Sequence, residues 1–544
     1  MSEQASQPGP VRQDGEAPRR TVVVLAAGLG KRMKSAKPKM LHEILGRSLV
    51  GHVLAAAEPL AAARTLVVVG AAADQVRAHL AEVAPAAEPV YQAEQRGTGH
   101  ATRVALAEAP DVSGTVVVLT GDTPLLRPDT LAELVRVHEE ADNAATVLTA
   151  APADVSGLGR IIRDEQGHVT AIVEERDASP EQRAIREINS GIIAFRAADL
   201  RATLAELTAD NDQGEEYLTD TIGLLVKAGR RVGGYVAVDA TETLGCNDRA
   251  QLAQLAALLR DRVNGAWMRS GVTMVDPATT WVDVTVTVGV DAVIEPHVQL
   301  RGATTVGSGA TVGPDTTLVD TEVGAGASVV RAQAQSAVVG PECSVGPFAY
   351  LRPGTRLHRK AKIGTYVETK NAEIGAGSKV PHLSYVGDAT IGEQTNIGAA
   401  TVFVNYDGVR KQHSTIGSFA RTGADNMFVA PVQVGDGAYT GAGAVIRRDV
   451  PPGALSYSGG PQKVVERWTL TRRAGTPAAD AAAAALGEPA AGATNDTPGV
   501  AAGGTAGDPG ETAARPSDAS GQPGSWTATG IEDPVPGTGS GTSA

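Results

Sequence analysis

Between Val288 and Asp449 an aliphatic residue recurs about every six positions, often followed by glycine. "VGSGAT" at Val306, "VGPDTT" at Val312, "VGAGAS" at Val323, "IGAGSK" at Ile374, "IGEQTN" at Ile391, "IGAATV" at Ile397 and "VGDGAY" at Val434 carry it. A six-residue beat suits neither a helix nor a simple meander, whose side-chain periods are 3.6 and 2. It suits a solenoid with flat-sided coils: the aliphatics point inward, small residues turn the corners, and stacked coils share one core. A glycine-rich linker keeps no such beat. "FVNYDGVRKQHST" (Phe403 to Thr415) interrupts it and is expected to project as a loop.

The first half follows a different rule. "TVVVLAAG", "TLVVVG" and "GTVVVLTGD" are short β-branched runs, as buried parallel strands should be, and helical segments such as "DQVRAHLAEV" lie between them. Residues 21–247 therefore read as a doubly wound α/β domain. Within it "GRIIRDEQGHVTAIVEE" reads as a hairpin turning at "DEQG". Residues 248–268 have helical spacing and join this domain to the solenoid, 269–461. Residues 1–20 form a polar leader without a signal pattern. Residues 462–544 form a C-terminal segment. From about Arg473 its Ala, Gly, Pro, Thr and Ser composition predicts a chain without a packed core.

Composition removes several function classes. With a net charge of −13 and 3% aromatic residues, the chain is a poor nucleic-acid binder. No apolar run is long enough to insert into a membrane. Cys246 and Cys343 lie far apart and give neither a disulfide framework nor a metal cluster, so a cytoplasmic location is expected.

The chemistry-bearing residues sit where an α/β sheet places ligands. "VLAAGLGKRM" (Val24 to Met33) ends the first strand in glycines followed by cations, a layout for cradling phosphates. It is neither a P-loop nor a dinucleotide fingerprint. Gln92 in "QAEQRGTGHA" can read a base edge, though a plain strand-to-helix turn accounts for the motif equally well. Asp122 closes a buried strand; taken alone, helix capping is the commoner role and Mg²⁺ ligation the other. His382 lies inside the repeat; an imidazole is a side chain suited to proton transfer near neutral pH, and by pattern alone a structural histidine is as frequent.

"LAAGLGKRM…KPKMLH", "QAEQRGTGHA", "GDTPL", "GRIIRDEQGHVTAIVEERDA", "EINSGI", "QGEEYLTD" and "GCNDRAQL" occur in this order. The set, spanning roughly Val22 to Pro461, closely resembles the bacterial bifunctional N-acetylglucosamine-1-phosphate uridyltransferase / glucosamine-1-phosphate N-acetyltransferase family. The resemblance implies a Rossmann-like nucleotidyltransferase domain followed by a left-handed parallel β-helix of hexapeptide repeats. It implies that Leu25, Ala26, Ala27 and Gly28 line a UTP site, that Arg32 and Lys39 contact its phosphates, and that Gln92, Gly97 and Thr98 recognise uracil. Asp122 and Asn247 would bind Mg²⁺, with Asp248 a further oxygen donor. Gly159, Glu174 and Asn189 would hold the sugar.

For the second half the resemblance makes His382 the general base of an acetyl-CoA-dependent acetyltransferase. Arg352 and Lys370 would bind the sugar phosphate, and Tyr385 and Asn396 the sugar. Asn405 and Tyr406 would meet sugar and coenzyme, and Ala399, Ala424 and Ala442 would line the acetyl-CoA site. A homotrimer through the β-helix is implied. Three departures stand out. Thr120 replaces a tyrosine. Ala424 replaces a common serine, which points to weakened or lost acetyltransferase activity as the alternative for this half. Gly459 lies near a coenzyme-binding arginine of some members. The rival readings are another sugar-nucleotide pyrophosphorylase with a β-helix tail and a non-catalytic binding subunit.

Overall fold

The structure, a computed structural model, describes residues 19–489 except 29, 71, 211–213, 460, 461 and 463. Most of the leader and residues 490–544 of the C-terminal segment lie outside the described residues.

The N-terminal domain is built on a sheet whose main path runs Val232–Val236, Ala145–Ala150, Ile188–Arg196, Thr115–Thr120, Arg20–Leu25, Arg64–Val69, Glu88–Tyr91. Arg20–Leu25 is parallel to both neighbours, while Ile188–Arg196 runs antiparallel to both of its own. The sheet is thus Rossmann-like with one reversed strand. Alternation sends Val22 and Val24 into the core on one face and Val23 into the core on the other. Helices cover both faces, which is why the strands read as unbroken aliphatic runs. The expected hairpin forms between Arg160–Arg163 and Val169–Val173. Its turn is closed by Gly167 N donating to Asp164 O at 3.0 Å.

The helix Arg249–Arg269 is capped by Asp248, whose carboxylate accepts from Gln251 N at 2.9 Å. Its Leu255 and Leu259 share a buried cluster with Met33, Ile44, Leu45, Leu125 and Cys246. Further along the helix, buried Asn264 donates to the carbonyls of Pro277 and Thr280, both at 2.9 Å. Val284 N donates to Leu45 O at 3.1 Å. One helix therefore ties the α/β domain to the first coil.

Beyond it the strands are short, parallel and stacked. Val288, Val306, Val323, Val339, Leu357, Ile374, Ile391, Ile416 and Val434 pair in succession and form one buried column. One coil therefore consumes about three hexapeptides, the geometry of a left-handed β-helix. One step is longer. Asn396 pairs with Arg421, 25 residues on, where Lys379 pairs with Asn396, 17 residues on. The excess is the inserted loop, which is shorter than its sequence suggested. Phe403 is core, its ring 5.1 Å from Phe428, and Thr415 lies in the strand Ser414–Ile416. The chain leaves the coil only across residues 405–413.

The C-terminal unit contains the helices Trp468–Arg472 and Pro477–Leu486. The second falls where composition predicted no packed core. Thr476 caps it by accepting from Ala479 N at 3.3 Å, and Gly487 ends it. Alanine, the best helix former, supplies the rest.

Two buried histidines of the α/β domain carry a stability signature. Burial pushes His52 and His138 down to about 4. Native rings stay neutral where unfolded ones, titrating near 6.5, take up protons. Stability is therefore present above pH 6.5 and lost as pH falls toward 4. Each histidine should cost about 2 kcal/mol between pH 7 and pH 5. Thermal unfolding at the two pH values measures this, and the His52→Gln/His138→Gln variant should flatten the dependence. An equally steep dependence in the variant would contradict it.

Candidate active sites

The glycine loop leaves the end of the first strand. Leu25 O accepts from Gly121 N at 3.0 Å and Ala26 N donates to Val68 O at 2.9 Å, so the loop starts from the sheet's centre. Gly28 is exposed. Gly30 is left-handed (φ +60°), and a Cβ there would lie 2.5 Å from Lys39 Cβ. That close approach brings Lys39 alongside the loop.

Lys39 is buried. Its Nζ donates to Asp122 Oδ2 at 2.6 Å and to Asn247 Oδ1 at 3.3 Å. Arg32 Nη2 donates to the same Asn247 oxygen at 2.9 Å. Asp122 caps no helix, because the next one begins at Pro128. Its carbonyl accepts from Cys246 N at 3.0 Å, which fixes Asn247 beside it. Cys246 is fully buried and burial pushes its thiol up to about 11, so it is a packing residue. Asp248 is committed to the helix cap.

A carboxylate and a carboxamide oxygen thus converge on one positive centre, the Lys39 ammonium. Two hard oxygen donors beside the glycine loop fit Mg²⁺, which typically takes one or two protein carboxylates and completes its shell with phosphate and water.

The segment after the Glu88–Tyr91 strand borders the same sheet end. Gln95 Nε2 donates to Ala27 O at 2.6 Å. Gln92 is buried and its amide meets His100. Gly97 (φ +106°) would bring a Cβ within 2.5 Å of Glu216 O. Thr98 Oγ1 accepts from Leu218 N at 3.0 Å. Glu216, in the quoted "QGEEYLTD", thus buttresses the loop, and its carboxylate pairs with Arg103 at 2.5 Å. The sequence reading gave it no role.

The three expected sugar residues meet. Asn189 N donates to Gly159 O at 2.9 Å, and a Cβ on Gly159 would lie 3.3 Å from Glu174 Oε1. Asn189 Oδ1 accepts from Gly191 N at 3.0 Å, and Gly191 stands against Thr120. Burial raises the Glu174 carboxyl, with Asp177 and Asp220 adding to the shift.

The β-helix holds a second group of residues. Arg352 N donates to Thr369 O at 2.9 Å, and Lys370 pairs with Gly387, so these positions stack on successive coils. Lys411, from the projecting loop, lowers the Lys370 pKa most, followed by Arg352. Three cations thus converge. Lys411 was missed because only the insertion carries it there. A Cβ on Gly387 would lie 2.6 Å from Tyr385 Cζ and 2.8 Å from Asn405 Nδ2. Asn405 Nδ2 donates to Asp388 Oδ2 at 2.5 Å. Tyr406 is exposed and its hydroxyl donates to Gly408 O at 2.6 Å.

His382, Ala399, Ala424 and Ala442 form another column. Ala400 N donates to His382 O, Asp425 N to Ala399 O and Gly443 N to Ala424 O, at 3.2, 2.7 and 2.8 Å. His382 is exposed, and its ring has no hydrogen-bond partner among the described residues. Asn396 lies on this side, paired with Lys379 and Arg421. It is not joined to Tyr385, which opens a strand of the other sheet. Within one chain the expected acetyltransferase residues therefore fall into two groups.

Residues 22–270 match a family model described as a MobA-like NTP transferase domain. The bifunctional protein GlmU of Streptomyces avermitilis is 60% identical over 86% of this chain and 98% of its own length. That of Streptomyces coelicolor is 59% identical over 85% and 96%, and that of Corynebacterium aurimucosum 54% over 85% and 95%. The chain belongs to the bifunctional GlmU family. This is the uridyltransferase and acetyltransferase family that the sequence motifs resemble. Among the described residues no helix is long and apolar enough to cross a membrane.

The geometry separates the two sites. Asp122→Asn should keep the shape and remove the charge that faces Lys39. Uridylyl transfer should fall at least about 100-fold while acetyl transfer persists. Assays of both half-reactions on the variant check this, and a parallel loss in folded protein would contradict it.

Proposed function

We propose that this protein makes UDP-N-acetylglucosamine for the cell envelope in the cytoplasm by two reactions. The β-helix acetylates glucosamine 1-phosphate with acetyl-CoA, and the α/β domain then couples the product to UTP. The observation that carries the first domain is the convergence of Lys39, Arg32, Asp122 and Asn247 beside the glycine loop.

In the uridylyl step an oxygen of the sugar 1-phosphate attacks the α-phosphorus of UTP, and pyrophosphate leaves. A phosphate dianion needs no strong base; it needs alignment and charge neutralisation. Lys39 and Arg32 meet the phosphates, and Gly159, Glu174 and Asn189 hold the sugar. Gln92, Gly97 and Thr98 face the base, and Leu25 to Gly28 line the nucleotide. Asp122 and Asn247 would hold Mg²⁺, which would supply Lewis-acid stabilisation of the phosphoryl oxygens.

In the acetyl step the neutral amine of the sugar attacks the thioester carbonyl. His382 takes the amine's proton, and the coenzyme thiolate leaves and is protonated. Arg352, Lys370 and Lys411 neutralise the sugar phosphate. Tyr385 and Asn405 contact the sugar. The column of Ala399, Ala424 and Ala442 offers bare backbone to the coenzyme.

The placement of Asn396 and His382 on one face of the coil and of Tyr385 on the next supports a homotrimer in which neighbouring β-helices complete each site. So does an exposed apolar ridge beside His382, made of Phe348, Tyr366 and Leu383. Sedimentation should give three chains per particle. An active monomer would contradict the shared site.

A coupled assay with UTP, acetyl-CoA and glucosamine 1-phosphate tests the whole reading; failure to form the UDP-sugar would sink it. Ala424 refines the second half. Two hydroxyls close to it in sequence are already bonded to the preceding coil: Thr422 Oγ1 accepts from Gly398 N at 2.8 Å and Ser418 Oγ from Glu393 N at 3.1 Å. Neither stands in the Ala424 column. Ala424→Ser should therefore raise kcat for acetylation and leave uridylyl transfer unchanged. An unchanged rate would make Ala424 a neutral replacement.

A further inference from the structure

In the "QAEQRGTGHA" segment Gln92 is tied in a relay to two side chains, His100 and Arg96, that the reaction scheme does not use. Gln92 and His100 are both buried. His100 Nδ1 lies 2.9 Å from one terminal atom of the Gln92 amide, and His100 Nε2 lies 3.1 Å from Arg96 Nη2. A guanidinium has hydrogens to give and no lone pair to offer. Arg96 therefore donates, and Nε2 must be the unprotonated, accepting nitrogen. An imidazole accepting at Nε2 is neutral and carries its proton on Nδ1. Burial, followed by Arg96, holds the ring below its ordinary pKa, in keeping with the neutral form.

An Nδ1–H needs an acceptor, and the only acceptor on a glutamine side chain is its carbonyl oxygen. The two ends of an amide are told apart by their partners. An NH₂ facing His100 would set donor against donor, with a 3.5 Å approach to Gly97 O in return. The carbonyl therefore faces His100. The NH₂ occupies the other terminus, which makes no hydrogen bond to protein among the described residues. It remains to donate to a ligand.

The loop backbone is held independently of this relay. Glu216 N donates to Arg96 O at 2.7 Å and Gly99 N donates to Glu216 O at 2.8 Å. The charged groups around His100 are Arg96, Arg103, Glu94 and Glu216. Replacing the exposed Arg96 side chain therefore changes what faces Nε2 and leaves the loop in place.

We propose that Arg96 and His100 are positioning residues that fix Gln92 with its NH₂ toward the base, so that the site selects a keto pyrimidine over an amino pyrimidine. This rests on the reading that the α/β domain uses a uridine nucleotide. A base presenting a carbonyl oxygen accepts from that NH₂, whereas one presenting an amino group there meets a second donor. If the amide could turn over, it would suit either base.

Two measurements on the full-length protein test the relay. The ¹⁵N shifts of the His100 imidazole, assigned with His100→Asn, should report a protonated Nδ1 and an unprotonated Nε2 at pH 7. A proton on Nε2, or a charged ring, overturns the relay whatever the nucleotide. The second measurement is the ratio of kcat/KM for UTP and CTP. Arg96→Leu should lower it about tenfold, one hydrogen bond's worth of discrimination, and Arg96→Lys should restore it. Gln92→Glu, which places an acceptor where the NH₂ stood, should shift the preference toward CTP. A merely structural role would lower both rates together and leave the ratio alone; that result overturns the positioning role. Acetyl transfer, unchanged in every variant, serves as the check on folding. A wild type that does not prefer UTP would instead overturn the nucleotide reading, and the selection with it, even if the His100 tautomer is as expected.

Discussion

The buried ion pair of Lys39 with Asp122, shared with the Asn247 carboxamide, is the interaction on which the rest of the α/β domain depends. It joins three distant pieces of chain: the segment after the glycine loop, the end of a central strand, and the start of the helix that leads into the second domain. A charge held largely out of water is tolerable when paired, and removing one partner leaves the other uncompensated. The pair also holds in place, before any substrate arrives, the two oxygen donors that suit a divalent cation. Structural need and the proposed catalytic layout therefore fall on the same atoms.

The second domain solves a different problem. Its coils have no large core of their own, and stability comes from stacking one coil's aliphatic on the next, as the column from Val288 to Val434 does. Such a rod has a regular surface. In the proposed scheme chemistry enters where the regularity is broken. The insertion at residues 405–413 swings Lys411 toward Lys370, and an exposed histidine starts a column otherwise filled by alanine.

Much of this was legible in the sequence. The six-residue beat marked the solenoid because every aliphatic at that spacing has a single available destination, the shared core. The β-branched runs marked the central strands because both faces of that sheet are covered. Other features were hidden. Phe403 was read as loop because an aromatic breaks an aliphatic beat, yet its ring packs against Phe428. The helix Pro477–Leu486 sits in low-complexity sequence whose alanines were read for their small apolar area rather than for their helix propensity. The motifs themselves were visible in the sequence, but the partners of their residues were not. Glu216 and Lys411 act through long-range contacts that no local pattern encodes, and the role of His100 follows only from which nitrogen faces Arg96.

The most direct test of the central claim is a double-mutant cycle on Lys39 and Asp122, read as kcat/KM for UDP-sugar formation. If the two residues act as one charge-balanced unit, Lys39→Met and Asp122→Asn should each remove most of the activity, and the double variant should lose little more than either single variant. Losses that multiply would show two independent groups, and would contradict an account in which their pairing organises the site.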